Sequence, residues 1–117
     1  MLIDVSTMKA STLYDLVTVG HFAIDSISSP KIKPARQALG GPPAYVSVAA
    51  TRLDAKVSVI STVGDDFPEE YVSWLRRNSV DLSGLRQVAT GSTTRFALRY
   101  QDKWKRSLQL QALAPSI

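Results

Sequence analysis

The chain has 117 residues, so a single domain is the expectation. Hydrophobic residues at 44% and charged residues at 21% exclude a wholly disordered chain. The absence of cysteine excludes disulfides, thiolate nucleophiles and cysteine-built zinc sites, and a net charge of +4 leaves a polyanionic partner open.

Residues 1–12 are polar, lack a period, and form a poorly specified lead-in to a domain over 13–117. They lack the charged start and apolar core of a secretory signal, and no apolar run approaches the ~20 residues of a membrane helix. The expected compartment is the cytoplasm, without a membrane partner. Tyr14 to Val19 (YDLVTV) reads as a short, largely buried strand stopping at Gly20. Ala23 to Ser28 alternates weakly. Pro30 and Pro34 then confine the following segment to an extended or edge position.

Gly40-Gly41-Pro42-Pro43 precedes a helix predicted over 43–53, because proline suits a first turn whose N–H groups lack partners. Val46, Ala49, Ala50 and Leu53 form its apolar stripe, opposite Ser47, Thr51 and Arg52. Lys56 to Val63 (KVSVISTV) reads as a second strand of parallel type, ending at Gly64. Asp66, three residues before Glu69 with Pro68 between, predicts an N-cap for a helix that aligns Phe67, Tyr71, Trp74, Leu75 and Asn78. Strand, helix, strand, helix with short joints argues a βαβ-type α/β layout. From Thr93 the period becomes two: Thr94, Phe96, Leu98 and Tyr100 face one way, Arg95, Ala97 and Arg99 the other. Gln101-Asp102-Lys103 makes the turn of a hairpin, and Leu108 and Leu110 continue the pattern.

Ligands of open α/β sheets bind beyond the carboxyl ends of the strands, where Asp25 and the glycine pair are expected. Asp25 there would accept from two hydroxyl groups, an arrangement suited to a polyol, while Gly40 and Gly41 would let main-chain N–H groups reach a ligand. The alternative is a structural turn with a surface carboxylate. A phosphate cradle is disfavoured: there is no Gly-Lys-Ser/Thr, no G-x-G-x-x-G, and the prolines remove two donors.

Other groups have plainer readings. Asp65 is a solvated turn residue, and the single histidine, His21, cannot build a zinc site, though it could touch substrate. No Gly-x-Ser-x-Gly elbow supports hydrolysis. Arg86, Arg95, Arg99, Lys103, Lys105 and Arg106 form a late basic stripe, which with Trp104 would suit single-stranded nucleic acid. It reads first as a solvated strand face and hairpin shoulder, so a nucleic-acid partner is not expected.

The order of GHFAID, GGPPAYVSVAATRLDAKVSVISTVGDDF, PEEYVSWLRRNSVD and STTRFALRY, from about Asp15 to Ile117, resembles the ribokinase-like (PfkB) carbohydrate and nucleoside kinases. The resemblance implies part of a ribokinase-like, Rossmann-type α/β core carrying a small β-sheet lid, with lid strands at about 24–38 and 86–110. It implies ATP- and Mg2+-dependent phosphorylation of an alcohol on a sugar, polyol or nucleoside, and pairing of subunits through the lids. Asp25 matches the family's acid that holds substrate hydroxyls, and Gly40 and Gly41 match its substrate-lining pair. Tyr45 stands where ribokinases place an asparagine, and Ala23 replaces another polar contact. Members that take nucleosides, inositol or larger sugars vary at both positions. Phe96 falls on the strand expected to cover the pocket.

The family's Gly-Ala-Gly-Asp segment, which carries the catalytic base and anion donors, has no counterpart among these residues. The expectation is therefore a chain with no catalytic residue, no metal ligand and little of the nucleotide site. It would be the substrate-binding and lid part of a kinase, completed by a C-terminal chain or segment. The alternatives are a non-catalytic sugar-binding or dimerisation module, and a small basic nucleic-acid binder.

Overall fold

A run of β-branched residues makes β4 (Val57–Gly64) the strand around which the molecule is organised. It is buried along its length except at Ile60, and pairs in parallel with β1 (Leu16–Val19) and β5 (Val80–Val88). The computed structural model describes residues 13–102 and 105–117. A second, four-stranded sheet contains β2 (Ala23–Ser29), β3 (Ile32–Gly40), β6 (Thr94–Tyr100) and β7 (Arg106–Ala112) in the order β3-β2-β6-β7. The β2–β3 hairpin is inserted between β1 and helix α1 (Pro42–Arg52), and helix α2 (Glu69–Arg77) joins β4 to β5. This is an α/β fold with one parallel and one mixed sheet. No helix among the described residues is long and apolar enough to cross a membrane.

The core lies where the two sheets meet the helices. Phe22, Val59, Val63, Phe67, Leu75 and Val80 are its buried centre. Phe22 and Phe67 stack at 5.7 Å, and Tyr71 meets Phe67 edge-on at 5.7 Å. Such pairs add about 0.5–1.5 kcal/mol beyond the area they bury.

Several sequence expectations are corrected. The strand ending at Val19 is not buried: Leu16, Val17 and Val19 are exposed. β1 forms an edge, and its register sets Val19 beside the exposed Ile60, so the sheet is uncovered around these two residues. The buried side of α1 is Pro43, Ala44 and Ser47 rather than the Val46–Leu53 stripe, and Leu53 is 83% exposed. Small side chains let the helix approach the strands closely, and Ser47 satisfies its hydroxyl by donating to Ala44 O at 3.3 Å.

Asp66 does not cap α2, whose N-cap position is taken by Pro68 without a side-chain bond. Its carboxylate instead accepts the Thr93 N–H at 2.8 Å and pairs with Arg95 at 3.0 Å. The predicted stripe on α2 divides: Phe67 and Leu75 are buried, Trp74 is 40% exposed. Residues 86–88, grouped with the lid strands on sequence, close β5, where Arg86 pairs with Thr62 and Val88 with Gly64. Pro34 stands on the edge strand β3, as expected. Gln101 N–H donates to Lys105 O at 2.7 Å to close the β6–β7 hairpin; Lys103 and Trp104 of the predicted turn and basic cluster lie outside the described residues.

Asp81 clasps the parallel sheet. It accepts from Tyr14 at 2.6 Å, from Ser58 of β4 at 3.1 Å and from the Ser83 hydroxyl at 2.6 Å. The Ser83 and Tyr14 bonds, against partial burial, hold its carboxyl below the usual range. For Asp66, burial pushes upward, but Thr93 and Arg95 outweigh it and the carboxyl is also lowered. A carboxylate lowered in the folded state contributes stability above its unfolded pKa of about 3.9, lost as pH falls through the folded value. Asp81→Asn is therefore expected to melt below wild type at pH 7, with the gap closing as pH drops below about 4. Thermal melts by circular dichroism across pH 2.5–7 check this; a gap constant with pH would show that the ionised clasp contributes nothing.

Candidate functional site

Asp25 lies in the middle of β2, in register with Ala38 of β3 and Phe96 of β6. Its residue is 8% exposed, and no hydrogen bond from the described residues reaches the carboxylate. Burial pushes its carboxyl above the usual range. Its oxygens still reach solvent, so desolvation penalises the charged form only in part. What it lacks is a partner with hydroxyl or N–H groups.

The glycine pair is explained by this carboxylate. A Cβ on Gly40 would overlap the Asp25 carboxylate. Gly41 has φ +91°, and a Cβ there would overlap the carbonyl oxygen of His21 and come within 3.0 Å of Ala23 N. The sequence expectation had the bare positions open to a ligand. Instead the chain's own atoms fill them, pressing Asp25 against the peptide that leads into α1. Pro42 and Pro43 leave Ala44 as the first donor of α1, and it is bonded to Gly41 O at 3.0 Å, so this helix start offers little to an anion.

Tyr45, in the first turn of α1, is 64% exposed. Partial burial first, then the charges of Asp25 and Tyr100, raise its hydroxyl pKa, which places all three groups in one electrostatic neighbourhood. Tyr71 is raised as well, by burial, then Glu70, with Asp25 a smaller contribution. Phe96 does not cover Asp25 from a separate layer; it flanks it within the same sheet, on the strand paired in parallel with β2. The register continues this face through Leu98 to Leu108 and Leu110 of β7, which are 61% and 53% exposed.

The structure thus brings Asp25, Gly40 and Phe96 together, with Gly41 adjoining and Tyr45 within electrostatic range. Sequence reasoning missed Tyr71 and Tyr100 as neighbours of this cluster. Tyr100 was visible in the two-residue period that placed Phe96, whereas Tyr71 gave only a core-like helical signal. His21 is engaged elsewhere: its Nε2–H donates to Pro115 O at 3.0 Å. Together with the bonds to Ser116 O from Thr62 at 3.4 Å and Arg86 at 2.9 Å, this lashes residues 115–116 across the carboxyl ends of the parallel strands.

The family model for pfkB carbohydrate kinases matches residues 12–110. The chain belongs to the pfkB family of carbohydrate kinases. It is 32% identical over 90 residues to the cytidine kinase of Thermococcus kodakarensis and 35% identical over 100 residues to the nucleoside kinase of Methanothermobacter thermautotrophicus. These matches take in 77% and 75% of this chain but only 31% and 32% of the relatives, so the chain spans about a third of their length. The fold matches the crystal structure of a Methanocaldococcus jannaschii nucleoside kinase of the ribokinase family at a TM-score of 0.73 and 24% identity, over 81% of this chain and 36% of that one. An uncharacterised sugar kinase of Pyrococcus horikoshii matches at 0.71 and 28%, over 84% and 36%.

Use of ATP is general in the pfkB family. Among the described residues no group of three His, Asp or Glu could hold a metal ion, and the start of α1, with two prolines, offers few N–H donors to a nucleotide phosphate.

Proposed function

We propose that this pfkB-family chain is the acceptor-substrate and lid part of a cytoplasmic, ATP-dependent kinase that phosphorylates an alcohol group of a sugar or nucleoside. One observation carries the proposal: the Asp25 carboxylate accepts no hydrogen bond from the described residues and is held against Gly40. Two vicinal hydroxyls would supply the missing donors, and the fixed carboxylate would in turn set the orientation of the ring that carries them. Tyr45 and Phe96 flank the ring, and Gly40 and Gly41 keep the path from β2 into α1 narrow enough to hold Asp25 in place. The names of the relatives, cytidine kinase and nucleoside kinase, support a ribose-bearing acceptor, and 5-dehydro-2-deoxygluconokinase of Clostridium perfringens, 33% identical over 87 residues, supports a free sugar acid or polyol.

Phosphoryl transfer rests on positioning both reactants and stabilising charge on the moving group. This chain contributes the first for the acceptor. The base, the anion donors and the Mg2+-nucleotide site belong to a complementing C-terminal chain or segment, so these 117 residues alone do not turn over. The exposed Leu108 and Leu110 support pairing of two lids in the assembled enzyme.

Calorimetry with cytidine, other nucleosides, hexoses and inositol tests the reading. At least one should bind, the heat should vanish in Asp25→Ala, and no ADP should form when ATP is added. Binding that survives Asp25→Ala would remove the proposed site, and ADP formation by the pure chain would overturn its incompleteness.

A further inference from the structure

Helices α1 and α2 face each other across a cavity of about 800 Å3 that does not include Asp25. Its volume is in the range of small-molecule sites, roughly 300–1,000 Å3. Both helices run from the carboxyl end of the parallel sheet back toward its amino end, so they are parallel and their residues form matching tiers. Tyr45, Glu70 and Tyr71 line the tier at the helix starts, Trp74 lines the middle, and Arg52 and Arg77 line the last turns. Seven residues separate Tyr45 from Arg52 and Glu70 from Arg77, about 10 Å of helix rise.

The cavity is mainly apolar along its walls, with charged groups at its two ends. Its far end holds two exposed guanidinium groups that pair with no carboxylate among the described residues, the only such ion pair being Arg95 with Asp66. Its near end holds Glu70, which repels an anion and accepts from a donor. Between them, Trp74 is 40% exposed and Tyr45 64%, large rings left in contact with solvent. A flat ring stacks on such aromatics, and a phosphate matches two guanidinium forks.

We propose that this cavity is a binding site for a nucleoside monophosphate whose base carries an exocyclic amino group, the phosphate on Arg52 and Arg77, the base on Trp74, and the amino group toward Glu70. Tyr45 borders both this cavity and the proposed acceptor site, but Asp25 does not line the cavity, and binding there does not need a transferable phosphate.

AMP is the probe. In a Trp104→Phe background, Trp74 is the only tryptophan, and its fluorescence should change saturably with AMP. Arg52→Gln with Arg77→Gln should weaken AMP by at least about 30-fold while leaving the thermal melt unchanged, since both side chains are exposed. IMP, without the amino group, should bind more weakly than AMP. Asp25→Asn should leave AMP binding within about twofold of wild type. The proposal is overturned if AMP gives no saturable signal at millimolar concentration, if adenosine binds as tightly as AMP, or if the arginine pair makes no difference. It is equally overturned if AMP binding disappears with Asp25→Asn, which would place the nucleotide in the acceptor site; failure of polyol binding at Asp25 would leave it standing.

Discussion

Asp25→Asn is expected to make the protein more stable and to abolish acceptor binding, two effects of opposite sign from one oxygen atom. On binding, the carboxylate accepts from two hydroxyls, whereas asparagine offers one acceptor and turns a donor toward the second hydroxyl. Hydrogen bonds to charged groups contribute about 1.5–3 kcal/mol each, so affinity should fall on the order of 100-fold or more. On stability, the carboxyl is raised in the folded state by burial. A raised carboxylate favours folding fully only below its unfolded pKa of about 3.9, and that contribution is lost as pH rises through the folded value. At pH 7 the ionised group therefore works against folding, and an isosteric neutral amide relieves that penalty and should raise the melting temperature. The gain should shrink toward zero near pH 3. Wild-type affinity should also weaken in mildly acidic buffer, at a pH above that where an ordinary carboxylate protonates, because only the ionised form accepts twice. A variant that melts below wild type at pH 7 would mean the carboxylate already has partners and is not held in reserve for a ligand.

The parts of this architecture legible in the sequence are those decided locally. β4 announces itself through VSVISTV, because a strand buried on both faces needs an unbroken apolar and β-branched run. Pro34 marks an edge since it cannot donate to a second neighbour. Pro42 and Pro43 mark the start of α1. Asp25 and the glycine pair were legible as candidate site residues because a carboxylate just past a strand and bare backbone ahead of a helix are both unusual, and the structure sets Gly40 against the Asp25 carboxylate. What stayed hidden depends on distant partners. Asp66 fits a capping pattern three residues long, yet its partners Thr93 and Arg95 are 27 and 29 residues away and offer it an N–H and a full charge. The buried side of α1 is chosen by how closely a backbone can approach, so Ser47 is preferred over Val46, the reverse of a hydrophobicity ranking. β5 is obscured by Ser83-Gly84 and Arg86-Gln87, which its edge position tolerates. The parallel pairing that sets Phe96 beside Asp25 joins residues 71 positions apart, a relation no local period encodes.

The glycines at 40 and 41 should separate cleanly when each is replaced by alanine, with Gly41→Ala the most destabilising single change in this region. Gly41 has φ +91° and ψ 146°, a conformation L-residues avoid, and its Cβ would overlap the His21 carbonyl oxygen with Ala23 N at 3.0 Å. Both obstacles are backbone, on the segment that carries the buried Phe22, so neither can swing aside. Conformational strain of about 1–3 kcal/mol plus a forced backbone shift gives an expected loss of roughly 3–5 kcal/mol. Domains hold only about 5–15 kcal/mol in all. With Val17, Val19 and Ile60 left exposed on the parallel sheet, a loss of this size should leave much of the variant unfolded at 37 °C. At Gly40 the obstacle is a side chain, the Asp25 carboxylate, which can rotate away at modest cost. Gly40→Ala should therefore keep most of the stability, by about 1–2 kcal/mol at worst, but displace the acceptor group and lose substrate affinity as fully as Asp25→Asn does. Urea denaturation midpoints alongside acceptor titrations distinguish the two. Equal midpoints for the two alanine variants would contradict a rigid contact between Gly41 and residues 21–23, and intact binding in Gly40→Ala would show that Asp25 need not rest on that glycine to do its work.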